Sequence, residues 1–114
     1  MNYSKKSGQA AEDTALTYLK QHGLALIHKN FISRFGEIDL IMRDNDTLVF
    51  VEVRKRHTGI RDAIESITNA KQRKLVKSAQ YYLLKTGFDV ACRFDAVLLD
   101  NSQHIEWLKN IIIL

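Results

Sequence analysis

The sequence predicts an α/β sandwich with a mixed sheet. Three observations carry this. Apolar residues recur at helical spacing in two segments, near residues 7–22 and 68–85. Two alternating apolar runs flank the turn cluster Arg43-Asp44-Asn45-Asp46. Two further apolar stretches follow the second helical segment. The order is helix, three strands, helix, two strands, which suits helices packed on a central sheet.

In the first helix Ala11, Ala15 and Leu19 recur with Tyr18 beside them, and Gly23 is the C-terminal stop. Leu24 to Phe31 reads as a strand whose ends are open, because Leu24, Leu26 and Ile27 do not alternate cleanly. The hairpin FGEIDLIMRDNDTLVFVEVRKR covers residues 35–56. His57 to Glu65 reads as a polar loop with Gly59. Thr68 is a good N-cap for a helix to about Lys85, with an inward stripe of Leu75, Val76, Ala79, Tyr82 and Leu83, and Gly87 as its stop. Ala91 to Leu99 reads as a strand, Asp100-Asn101-Ser102 as a turn and Gln103 to Leu108 as the last strand. Lys109 to Leu114 either extends that strand or packs as a short helix. With no linker, repeat or low-complexity tract, residues 1–114 read as a single domain.

The hairpin carries the functional signal. With Asn45 and Asp46 central in the turn, Asp44 pairs with Thr47. Ile38, Leu40 and Met42 then face Val53, Val51 and Val49 on a wholly apolar side. On the other side Ile41 meets Phe50, Asp39 meets Glu52, and Glu37 meets Arg54. A one-residue slip would scramble both faces. Like charges directly across a sheet destabilise it. Asp39 opposite Glu52 therefore calls for a cation or a shared proton. A divalent metal held by oxygen ligands is the usual compensation at phosphoryl-transfer sites. The alternative is a solvated sheet face with Glu37–Arg54 as an ordinary ion pair.

Charge and composition narrow the partners. Net charge is +4 with a pI near 9.3, which makes a phosphate-rich partner plausible. Arg54, Lys55, Arg56, His57 and Arg61 follow the second hairpin strand, and Lys71, Arg73, Lys74 and Lys77 decorate the next helix. A basic rim around an acidic centre suits a metal-dependent nuclease; a solvated helix face is the plainer reading of the second cluster. The longest apolar run, Ile111 to Leu114, is too short to span a membrane. The start MNYSKKSGQAAEDT lacks a secretory apolar segment, and a single Cys92 excludes an internal disulfide; both fit the cytoplasm. One cysteine and four scattered histidines offer no zinc spacing. Cys92 reads as structural and Trp107 as core. Asp95 reads as a buried ion-pair partner or hydrogen-bond acceptor, with a catalytic role as the alternative. Tyr3, Tyr81 and Tyr82 are not interleaved with basic residues as a base-stacking platform would be.

The motifs GEIDLI, LVFVEVR, AKQRKL and CRFDAV together resemble the YraN-like family of bacterial proteins, over Gly8 to Trp107. That family is similar in fold to the restriction-endonuclease-like superfamily, especially the archaeal Holliday-junction resolvases. The resemblance implies a central mixed sheet of about five strands flanked by helices. It implies a metal site for Mg²⁺ or Mn²⁺ made by Asp39 and Glu52, with Glu12 from the first helix. It places Arg54 where the superfamily has a lysine, and Gln72 at the downstream glutamine. Asp39, Glu52 and Arg54 are thus marked twice, whereas Glu12 and Gln72 rest on the resemblance.

The arginine matters chemically. It stabilises phosphate charge well but cannot accept a proton. Three expectations follow. One is an endonuclease on DNA, including branched DNA such as four-way junctions, with backbone contacts from Arg54, Lys55, Arg56, Lys71 and Lys74. Another is a nucleic-acid-binding module without chemistry. The third is a protein-interaction scaffold on a nuclease fold. A homodimer would match a two-fold substrate.

Overall fold

The structure is a computed structural model describing residues 2–112, with side chains described for residues 8–112. Tyr3 and the last two tail residues therefore lie outside the described side chains. The elements are α1 (Asn2–Gln21), β1 (Ala25–Ser33), β2 (Gly36–Asp44), β3 (Thr47–Lys55), α2 (Ile60–Glu65), α3 (Asn69–Thr86), β4 (Cys92–Leu99) and β5 (Ile105–Leu108).

The five strands form one sheet in the order β1-β2-β3-β4-β5. The β3–β4 joint is parallel and the other joints are antiparallel. A parallel joint needs a crossover, which α2 and α3 supply. On one face α1 lays Ala11, Ala15 and Leu19 against Leu40, Met42, Val49, Val51 and Val97. On the other, Leu75, Ala79 and Tyr82 of α3 meet Phe31, Ile41, Phe50 and Phe94. The architecture is the expected α/β sandwich, an open five-stranded mixed sheet flanked by helices, and is consistent with a restriction-endonuclease-like fold.

The caps of α3 are as the sequence expects. The Thr68 side chain accepts the Lys71 backbone N–H, and Gly87 takes φ 74°, a left-handed conformation. Thr68→Ala is expected to cost about 1 kcal/mol, read as a lower urea midpoint at unchanged slope. One element is new. Within the expected loop His57–Glu65, residues Ile60–Glu65 form α2, which buries Ala63 against Ala96 and Leu98. Gly59 precedes it without a side-chain cap, so the usual start signal is missing. The tail neither extends β5 nor forms a helix over residues 109–112. The Ile111 N–H instead donates to Phe94 O at 2.7 Å.

Asp95 is fully buried and accepts from Arg93 Nε at 3.1 Å, Trp107 Nε1 at 3.0 Å and the Asn110 N–H at 2.9 Å. Arg93 in turn reaches Asp44 at 2.8 Å. This clamp ties β4 to the β5 end and to the hairpin turn. Removing one member leaves buried groups unserved. Asp95→Asn is expected to lower unfolding free energy by about 2 kcal/mol in urea titrations. Cys92, expected as a small structural residue, is exposed at the start of β4.

The hairpin register holds from Asp44↔Thr47 to Leu40↔Val51, and there the ladder stops. Ile38 therefore does not face Val53. It packs in the α3-side core with Ile41 and Phe50. Ile38 and Ile41 on one side, with Leu40 and Met42 on the other, requires the alternation to slip once near Asp39. That slip opens the sheet where the candidate site residues sit.

Candidate metal centre and basic cleft

Where β2 and β3 part, a side chain takes over the ladder's role. Asp39 Oδ2 accepts the Val53 backbone N–H at 2.8 Å. This holds the carboxyl in place without exposing it. Burial first, and then the charge of Glu52, push the Asp39 pKa up to about 8, with Glu12 and Glu37 adding to the rise and the Val53 N–H opposing it.

Glu52 on β3 is only 2% exposed. Its Oε2 lies 2.8 Å from Arg54 Nε and 3.7 Å from Lys71 Nζ. Burial nonetheless raises its pKa, outweighing both cations. The Arg54 N–H is not aligned on the oxygen, and Glu52 Oε1 meets no hydrogen-bond donor among the described residues. The Asp39 carboxyl, which also contacts Glu52, can serve a Glu52 oxygen when it carries a proton. The pair therefore has the two ways of existing that its like charges demand: one shared proton, or a cation.

On the α1 side, Glu12, Glu37 and Asp39 each present a carboxylate oxygen within 4.8 Å of the others. Asn30 of β1 joins two of them, its Nδ2 donating to Glu12 Oε1 at 2.7 Å and to Glu37 Oε2 at 2.9 Å. The expected Glu37–Arg54 pair is thereby corrected. Glu37 is held by Asn30, and Arg54 turns to Glu52. The cause is the end of the ladder at Leu40↔Val51, which frees both residues from facing each other.

The sequence-marked residues thus fall into two groups around Asp39. Glu12 joins it from the α1 side. Glu52 meets Lys71 of α3, and Arg54 reaches Glu52 while also lining the cleft toward α1. A cleft of about 320 Å³ is lined by Gly8, Ala11 and Glu12 of α1 and by Val53 to His57. It brings Arg54, Lys55 and Arg56 beside Glu12. Lys55 is exposed, Arg56 half-buried, and Arg56 Nη1 donates to Lys55 O at 2.8 Å. Lys74 is exposed one turn beyond Lys71. Gln72 is turned elsewhere. Its Nε2 donates to Ile67 O at 3.2 Å, and it lines a groove with Arg73, Val76 and Ile112.

Asn30 and the membership of Glu37 in the cluster were missed. A usable signal lay in the broken alternation of Leu26 to Phe31, with an Asn inside it, because Asn tolerates the left-handed region. The donor set is all oxygen. It fits a hard divalent cation such as Mg²⁺ or Mn²⁺, and it leaves a buried carboxylate oxygen that a cation would serve.

Fold and site together define an α/β-sandwich domain with a carboxylate cluster at the open end of its sheet, beside a basic cleft. Residues 11–99 match Uncharacterised protein family UPF0102, and the chain belongs to that family, which is the YraN family its motifs resemble. It is 49% identical over 111 residues to a UPF0102 protein of Nitrosomonas eutropha, covering 96% of each chain. It is 52% identical over 106 residues to one of Nitrosospira multiformis, covering 90% of this chain and 89% of that one. Among the described residues no helix is long and apolar enough to cross a membrane.

Proposed function

We propose that this protein is a metal-dependent endonuclease that hydrolyses phosphodiester bonds in DNA, with branched DNA such as a four-way junction as the preferred substrate. The observation that carries the reading is the buried Glu52, with an unserved oxygen, set against Asp39 beside a cleft lined by arginine and lysine. Asp39, Glu52 and Glu12 would hold Mg²⁺ or Mn²⁺. Such an ion supplies Lewis-acid polarisation of the phosphate and a more acidic attacking water.

The chain's own residues do the rest. Val53 N–H fixes the Asp39 carboxylate. Arg54 stabilises negative charge on the scissile phosphate, and a guanidinium takes no proton from water. Lys55, Arg56, Lys71 and Lys74 neutralise neighbouring phosphates, and a homodimer presents two such sites to a two-fold junction.

Incubating the protein with end-labelled four-way junction, linear duplex and single strand, with Mn²⁺ or with chelator, tests this. Metal-dependent incision of the junction supports it. Absence of incision on every substrate overturns the enzymatic reading. The arginine at the superfamily's lysine position favours the second reading, a nucleic-acid-binding module without turnover. In both readings affinity falls with salt, and Lys55→Ala or Arg56→Ala is expected to reduce the log–log salt slope by about 1 each in fluorescence-anisotropy titrations. No binding even at low salt would leave the protein-interaction scaffold.

A further inference from the structure

We infer that Asn30 is a positioning residue that holds Glu12 and Glu37 beside Asp39, making Glu37 a further oxygen ligand of the proposed metal centre. This inference rests on the metal reading above.

Three carboxylates within 4.8 Å repel one another and would be expected to rotate apart unless held. Asn30 holds two of them with one nitrogen. Its amide carries two hydrogens, and Nδ2 sits 2.7 Å from Glu12 Oε1 and 2.9 Å from Glu37 Oε2. A lysine or arginine there would also hold them, but its charge would compete with a cation. An amide orients the oxygens and leaves their charge intact.

The backbone at Asn30 is unusual too. Its φ is 52° inside a strand, a conformation few side chains other than Asn and Asp tolerate. Such conformations persist where surrounding structure enforces them.

Acidic clusters occur on many surfaces without a ligand. The independent observation here is on β3: Glu52, 2% exposed, keeps Oε1 without a donor among the described residues while its carboxyl contacts Asp39. The cluster thus continues into the protein through a buried carboxylate whose Oε2 is paired with Arg54 and Lys71 and whose Oε1 is left for another partner.

The test is Mn²⁺ binding by calorimetry on the wild type, Asn30→Gly, Glu37→Gln and the double variant, with circular dichroism to check folding. Glycine adopts a φ of 52° freely, so Asn30→Gly removes the amide and keeps the backbone. Each single variant is expected to bind Mn²⁺ roughly 10–100-fold more weakly than wild type, and the double variant about as weakly as the weaker single. Unchanged affinity in Asn30→Gly, or losses that simply multiply, overturns the role of Asn30 while leaving the metal reading standing. Absence of binding in the wild type overturns both. Should Asn30→Gly fail to fold, exposed Glu37→Gln still decides, since unchanged affinity there overturns the proposal.

Discussion

Asp39→Asn is expected to reduce DNA cleavage by about a thousandfold or more and to abolish Mn²⁺ binding, while the protein folds as well as wild type. The two halves of this expectation have separate causes. Asn is nearly isosteric with the protonated carboxyl that the site favours without a cation. Its Oδ1 can still accept the Val53 N–H, which Asp39 Oδ2 accepts at 2.8 Å. Its Nδ2 can donate toward Glu52, whose Oε1 has no donor among the described residues. The fold therefore loses nothing, because the amide replaces the donor that the protonated carboxyl supplies. The chemistry loses the negative charge that a divalent ion needs. Single-turnover cleavage with urea denaturation of the same preparation would check both. A variant that still cuts at the wild-type rate, or that unfolds, would show that Asp39 has a different role.

The second large effect is on stability against pH. The Asp39 pKa is raised from 3.8 to about 8, chiefly by burial and the charge of Glu52. Between these values the folded protein keeps a proton that the unfolded chain releases. Stability therefore falls as pH rises through this window, because the unfolded state binds fewer protons there. Below pH 4 the Asp39 contribution is flat, and above about 8 the loss is complete. The loss is on the order of 6 kcal/mol and belongs to the Asp39–Glu52 pair rather than to one residue. Mn²⁺ at saturating concentration is expected to reverse the trend by favouring the ionised pair. Asp39→Asn is expected to flatten the slope. Urea unfolding at pH 5, 7 and 9, with and without Mn²⁺, measures all of this. A wild-type stability that rises from pH 5 to 9 in the absence of metal would contradict the pairing.

These two expectations set the site against the rest of the core. Asp95 is more deeply buried than Asp39, yet Arg93, Trp107 and the Asn110 N–H serve it fully. Glu52 is buried with one oxygen unserved among the described residues. One carboxylate completes the fold, whereas the other, on the metal reading proposed above, keeps an oxygen for a cation. Burial alone does not separate them; the hydrogen-bond complement does.

By itself the sequence determined the sandwich, the hairpin register near its turn, both caps of α3 and the adjacency of Asp39, Glu52 and Arg54. These follow from local physics: period-two and period-3.6 burial, a Thr that can cap, a Gly that can turn left-handed, and pairing that propagates from a turn. Motif resemblance added Glu12, on a helix far from the hairpin in sequence. Only the tertiary structure decided where the ladder ends, that Ile38 crosses to the α3-side core, that Arg54 leaves Glu37 for Glu52, and that Asn30 gathers Glu12 and Glu37. The physical reason is common to all four. Regular alternation can be read along one strand, but a break in it is set by which helix claims each side chain. Ile38 is claimed by α3 and Glu12 by the α1 face, and neither claim is written in the strand itself.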